Sequence, residues 1–366
     1  MPLAAGASGR IGCTYCQTLT GLVCASCKES PSLHGGLIPE TPYCSDTCWE
    51  NHRPRHENDC TKWKQRRCLF RAAQIVRDLF YHFAMHHFST AISRVVPDGN
   101  ELRIHEDPIA PESVFADFSA NEFSNVEDLL TVLTYHQCTE SLFHTTALVE
   151  ALFFGITHST KDIREVRHNV GTKYRSPMYV DQGPRPTLHD IWKITLKSDE
   201  VYVLDLAGAQ FGNRDVVVPW QEYRSTRING LEIERDLYAI RQEYTRGAIR
   251  DAEVDTEKEF RNVFIWHFTR TMDHTLKAWQ ESPGALKLHE IIALDNLTDY
   301  EAKRQGLFDQ AINSVAAERK RLIKEKIIRL EDEATCLVLP RHSEVDGWIA
   351  EMKEETESLG QAGMGS

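Results

Sequence analysis

Apolar residues recur along this chain with two different periods. From Leu69 they fall at Ala73, Val76, Phe80 and Phe83, steps of four and three that draw one stripe on a helix. The stripe predicts a long helix from Thr61 to about Val96. Pro97-Asp98-Gly99-Asn100 should stop it, since proline disfavours helical geometry in the residue before it and Asp-Gly favours a turn. A second helical region is predicted from Ser124 to Gly155, with Leu129, Leu130, Leu133, Leu142, Leu148, Leu152 and Phe153 as its buried side. Ser124 and Glu127 read as a capping box and Gly155 as the C-terminal stop.

After a loop between Pro177 and Pro186 the pattern changes. Leu188–Leu196 and Glu200–Leu206 read as strands joined by Lys197-Ser198-Asp199, with Ile191, Trp192, Ile194, Val201, Val203 and Leu206 suited to a half-buried hairpin. The last third returns to helical spacing. One stripe is Phe260, Val263, Phe264, Met272, Leu276 and Trp279. The other runs from Leu307, Phe308, Ala311, Ile312 and Val315 to Ile323, Ile327 and Leu330 and ends near Pro340. Its basic residues Arg319, Lys320, Arg321, Lys324 and Lys326 read as a solvated face, and the Gly-rich tail from Leu359 as disordered. The expected fold is α+β and mainly helical. A small module occupies 1–62, an α+β body with a β-hairpin 63–250, and a helical region with a long helix and a short tail 251–366.

Composition narrows the function classes. Hydrophobic residues make up 41% of 366, enough for a real core, and the net charge of −12 argues against bulk attraction to nucleic acid or an anionic membrane. Lys62, Lys64, Arg66, Arg67, Arg71 and Arg77 form a local exception and read as a solvated helical face. No run approaches the ~20 apolar residues of a membrane span, and Met1–Arg10 lacks the basic and apolar regions of a secretory leader. Cys68, Cys138 and Cys336 stand outside the cysteine-rich N-terminus. Unpaired thiols beside metal thiolates fit a reducing compartment, so nucleus or cytoplasm is expected.

That N-terminus carries the clearest chemistry: Cys13-x2-Cys16, Cys24-x2-Cys27, Cys44-x3-Cys48 and His56-x3-Cys60. Each pair puts two soft donors about one turn apart, the separation of neighbouring corners of a tetrahedral Zn²⁺, and eight donors make two closed, structural sites. The pair order, the Tyr43-Cys44 step and the His56-x3-Cys60 ending resemble the MYND finger, a protein-interaction module of transcriptional co-regulators. The resemblance implies interleaved ligand sets. One zinc would take Cys13, Cys16, Cys44 and Cys48, and the other Cys24, Cys27, His56 and Cys60. The loop between Cys27 and Cys44 is longer than that family shows, a tolerable change because closure entropy grows slowly with length. Arg53 stands where the family carries a Trp three residues before the ligand His, and Trp49 reads as pointing elsewhere. A protein partner is implied, with a proline-containing peptide held weakly.

For the body there are two readings. The first is an interaction protein of regulatory or adaptor type that needs no catalytic residue. Val203 to Gly212 looks like a stretch of fungal MYND-finger proteins of unassigned role. A SET-type methyltransferase is not expected, since only twelve residues precede Cys13 and no Asn-His-x-Cys motif follows. The second reading rests on the order Cys138, His189, Asp205, which resembles papain- and transglutaminase-like enzymes with their Cys at a helix start, His on one strand and Asp on the next. There His189 would take the thiol proton and Asp205 would hold the imidazole, with Gln210 a potential oxyanion donor. Two departures favour the first reading. His136-Gln137 offers no glycine break before Cys138, so an unbroken helix and a buried, inert thiol are expected, and Trp192 follows His189 by three residues instead of two. His82 and His86, four apart, read as packing rather than as metal ligands.

Two Zn²⁺ per chain are expected, each bound with an apparent energy of ~10–16 kcal/mol. Metal analysis of the purified protein checks this, and a stoichiometry near one would contradict it.

Overall fold

The computed structural model describes residues 3–6, 9–87, 92–98, 101–106, 113–116, 118, 123, 125–170, 187–253, 260–325, 327–330, 335–338 and 343–364. The loop expected between Pro177 and Pro186 lies outside them. Among the described residues no helix is long and apolar enough to cross a membrane.

Four short strands, β1 (Leu3–Ala5), β2 (Ile11–Gly12), β3 (Leu19–Thr20) and β4 (Leu22–Cys24), pair as β1–β4 and β2–β3 and frame the N-terminal module. Helix α1 (Asp46–His86) then runs from that module into the body. It begins well before the predicted Thr61, because the Ser45 hydroxyl caps it by accepting from the Cys48 N–H and the ligand pair His56/Cys60 is itself helical. It also stops at His86, short of Val96. The segment read as its end is β5 (Ile92–Asp98), paired with β6 (Glu101–Glu106), so Pro97 and Asp98 lie at the end of a strand and not at a helix stop, while Gly99 and Asn100 fall outside the described residues.

The second helical region is two helices. α2 (Val126–Leu133) follows β7 (Ser113–Ala116) and is capped by Asn125, not Ser124, whose side chain accepts from the Asp128 N–H. The chain then breaks at His136, whose φ is 58°, and restarts as α3 (Cys138–Phe153). The unbroken helix expected through Cys138 is therefore absent.

The predicted hairpin is real but belongs to a larger sheet. β8 (Ile163–Val170), β9 (Thr187–Thr195), β10 (Val201–Leu204), β11 (Val217–Pro219) and β12 (Glu232–Asp236) form an antiparallel sheet in the order β11-β10-β9-β8-β12. One face packs on α3, where Trp192 donates from Nε1 to Thr145 Oγ1. The other face is covered by α4 (Trp220–Thr226), with Trp220 and Tyr223 against Val166, Ile191, Val203 and Val218.

Helices α5 (Ala239–Glu253), α6 (Phe260–Glu281), α7 (Leu288–Ile292) and α8 (Leu297–Lys324) complete the fold with β13 (Ile328–Leu330), β14 (Thr335–Val338) and α9 (Ser343–Met364). Ile327 and Leu330 therefore lie beyond α8, and the tail read as disordered from Leu359 is helical to Met364. A single core joins α1 (Leu69, Val76, Phe80), α3 (Leu148, Leu152), β9 (Trp192), α6 (Met272, Leu276) and α8 (Leu307).

The basic run on α1 is not a solvated face. Arg67 donates to the Ala25 and Lys28 carbonyls and to Asp295, Arg71 bonds the Ile292 and Leu294 carbonyls beneath Tyr300, and Arg66 pairs with Glu200. These guanidiniums fasten the N-terminal module and α7 to the spine, a role that suits a planar fork of donors.

Candidate functional sites: two cysteine-histidine clusters and a Cys-His-Asp constellation

Interleaving in the N-terminal module follows from its strands and α1. The turns around β2–β3 carry Cys13 and Cys16, and the end of β4 carries Cys24 with Cys27 after it. Cys44 precedes α1, while Cys48, His56 and Cys60 project from it. Two sets result, Cys13/Cys16/Cys44/Cys48 and Cys24/Cys27/His56/Cys60, with the donor atoms of each set within 4.8 Å of one another. In the first set the sulfurs of Cys16, Cys44 and Cys48 are 3.4 to 3.7 Å apart. In the second, Cys24 and Cys60 sulfurs lie 3.7 Å apart and Cys27 Sγ is 3.5 Å from His56 Nε2. A tetrahedron with ~2.3 Å Zn–S bonds has edges of about 3.8 Å, so both sets fit Zn²⁺. Among the described residues these are the two groups that could hold an ion. His82 and His86 pack ring to ring, centroids 4.5 Å apart, and burial lowers the His82 pKa to about 4.

Trp49 does not point away from Arg53. The two are one turn apart on α1, and the guanidinium carbon sits 5.6 Å from the indole centroid.

In the body the structure brings Cys138, His189 and Asp205 together. Cys138 is the first residue of α3 and is partly exposed rather than buried. Its sulfur lies 3.8 Å from the carbonyl oxygen of Leu188, the residue before His189. His189, on β9, shares Nε2 with Asp205 Oδ1 at 2.9 Å, and both side chains are buried. The other ring nitrogen, Nδ1, is buried and makes no hydrogen bond to a protein partner, which leaves it for Cys138. Burial opposes charge on His189. The Asp205 carboxylate and the neighbouring Cys138 outweigh it and push the pKa up to about 10. Burial also works against Asp205, but the His189 charge and the hydrogen bonds from His189 and Tyr223 hold its carboxyl below the usual value.

Several neighbours of this pair carried no sequence signal. The Tyr223 hydroxyl, from α4, donates to Asp205 Oδ2 at 2.9 Å, and His168 Nε2 on β8 lies 3.3 Å from that hydroxyl. Burial lowers the His168 pKa to about 4. Phe211 meets His189 edge-on, ring centroids 4.8 Å apart, and screens the imidazole where a Trp two residues after the His was sought. Trp192 lies on the opposite sheet face, as strand alternation requires.

The Asp205–Gly212 stretch also becomes intelligible. A Cβ on Gly208 would sit 2.5 Å from Asp205 Oδ2, so only glycine lets the following turn pack on that carboxylate. Gln210 is not a free oxyanion donor. Its Oε1 accepts the His136 N–H and its Nε2 donates to the Ala207 carbonyl, so it staples this turn to the corner before Cys138. Thr131 adds a bond to the Ala209 carbonyl.

A comparison with protein-family models, curated proteins and solved structures finds no match to this chain.

The His189–Asp205 pair sets a pH dependence. His189 has its folded pKa raised, so its stabilising contribution is complete below the unfolded value of ~6.5 and is lost as pH rises through about 10. In urea denaturation, wild type should lose stability relative to His189→Gln between pH 7 and pH 10. A constant difference across that range would contradict the pairing.

Proposed function

We propose that the body of this chain is a thiol-dependent acyl-transfer site, with Cys138 as nucleophile, His189 as base and acid, and Asp205 as the group that orients the imidazole. The reading is carried by Cys138 at the start of a helix beside a buried His189–Asp205 pair whose Nδ1 has no other protein partner. The first N–H groups of a helix lack intrahelical acceptors, and its positive end favours an anion. A thiolate at Cys138 gains from both, and the Cys138 and Thr139 N–H groups are suited to a developing oxyanion.

With its proton on His189 Nδ1, the Cys138 sulfur attacks the carbonyl carbon of an amide or ester, giving a tetrahedral oxyanion. The bond to the leaving nitrogen or oxygen breaks as His189 returns the proton to it, and a thioester remains. A water or amine then attacks the thioester, gives its proton to His189 and releases Cys138. Phe211, His168 and Tyr223 surround the His189–Asp205 pair and exclude water from it.

In this reading the zinc module is the MYND-type docking element suggested by its ligand order. Its docking face is the exposed first part of α1 around Trp49 and Arg53, suited to a protein segment containing proline.

Alkylation of the zinc-loaded protein with iodoacetamide, mapped by mass spectrometry, tests the thiol site. Cys138 should label near neutral pH well ahead of Cys68, which is buried, and His189→Ala should slow it by about a hundredfold. Labelling of Cys138 only on denaturation, or unchanged in His189→Ala, would leave the interaction-protein reading in its place.

A further inference from the structure

The residues that follow Cys138 and His189 in sequence are hydrogen-bonded to each other. Thr139 Oγ1 donates to Asp190 Oδ2 at 2.8 Å, across the interface between the start of α3 and β9. Alternation along β9 explains why Asp190 and not His189 makes this link. His189 faces α4 and Asp205, and Asp190 faces α3. Asp190 is 2% exposed, and such a carboxylate persists only if it is paired. Arg167 supplies the pair from the opposite position on β8, with Nε to Oδ1 at 2.7 Å and an Nη to Oδ2 at 2.9 Å. The two-pronged geometry fixes the carboxylate plane, and that plane sets the direction in which Thr139 is held. Other ionisable groups close by are Glu165 and His168 on β8, His189 itself, and Glu243 on α5, which reaches Arg167 at 3.5 Å.

We infer that Arg167, Asp190 and Thr139 form a clamp that fixes the spacing between the Cys138 sulfur and the His189 imidazole. This rests on the thiol-site reading above. The Thr139 hydroxyl and the Asp190 carboxylate bond each other and not the reacting atoms, so these two side chains have a positioning role. The nucleophile is on a helix and the base on a strand, and the first turn of a helix is the part most free to fray or slide. A displacement near 1 Å can cost about a hundredfold in a reaction that requires contact. Gln210 holds the corner before Cys138 from one side, and the clamp holds the residue after it from the other.

The test is the pH profile of Cys138 alkylation in wild type, Thr139→Val and Thr139→Ser, read alongside thermal unfolding. Thr139→Val, nearly isosteric, should lower the rate near neutral pH by about tenfold or more and move the rising limb of the profile upward, with little change in the unfolding midpoint. Thr139→Ser keeps the hydroxyl and should stay within about twofold of wild type. If Thr139→Val fails to fold, Thr139→Ala carries the same expectation. Wild-type rates and profile in the variant lacking the hydroxyl would overturn the clamp, as would a Ser variant as impaired as Val. Those outcomes leave a His189-dependent wild-type thiol intact. Wild-type labelling indifferent to His189→Ala would remove the thiol site itself and the clamp with it.

Discussion

The body is organised around one buried ion pair, His189 with Asp205. Taking two opposite charges out of water costs several kcal/mol per ion before their attraction is counted, so the surrounding structure must supply hydrogen bonds and shape. It does so from five elements. β9 and the end of β10 bring the pair together in antiparallel register, α4 adds the Tyr223 hydroxyl, and the turn at Gly208 closes on the carboxylate. Phe211 from that turn and His168 from β8 complete the enclosure. His189 Nδ1 is buried and makes no hydrogen bond to a protein partner.

Helix α1 is the second constraint, because it belongs to both halves of the molecule. Its first turns hold Cys48, His56 and Cys60, and its later turns place Leu69 to Phe83 in the core. Arg67 ties the second metal cluster's loop to Asp295, so the module is fixed to the body through buried donors as well as through the helix. The candidate metal sites and the packing of the body are thus connected along one helix. The sheet carrying His189 meets that element through Arg66 and Glu200.

How much of this was legible in the sequence depended on range. The two candidate metal-ligand clusters were readable because each pair is local, and β9 and β10 because their period of two is clean. The break before Cys138 was not readable. The apolar stripe of α2 continues into α3, and the break is made by His136 in a left-handed conformation with neither Gly nor Pro to mark it. β8 was missed because Glu165 and His168 occupy buried positions and spoil its alternation. The Pro97-Asp98 signal marks the end of a paired strand, not of a helix. The basic run on α1 shows the limit of charge patterning, since its most important members are buried donors. Tyr223, Asp190 and Thr139 come together only through tertiary contacts, and no spacing announces them.

In the proposed thiol site Cys138, His189 and Asp205 act as one coupled unit. That coupling is tested most directly by NMR of the ¹⁵N-labelled histidines in the zinc-loaded protein, with the His189 resonances followed through pH. His189 should be doubly protonated well above neutral pH, and Cys138→Ser should lower the pH at which it loses the second proton. A neutral His189 at pH 7, or a titration that Cys138→Ser leaves unchanged, would contradict it.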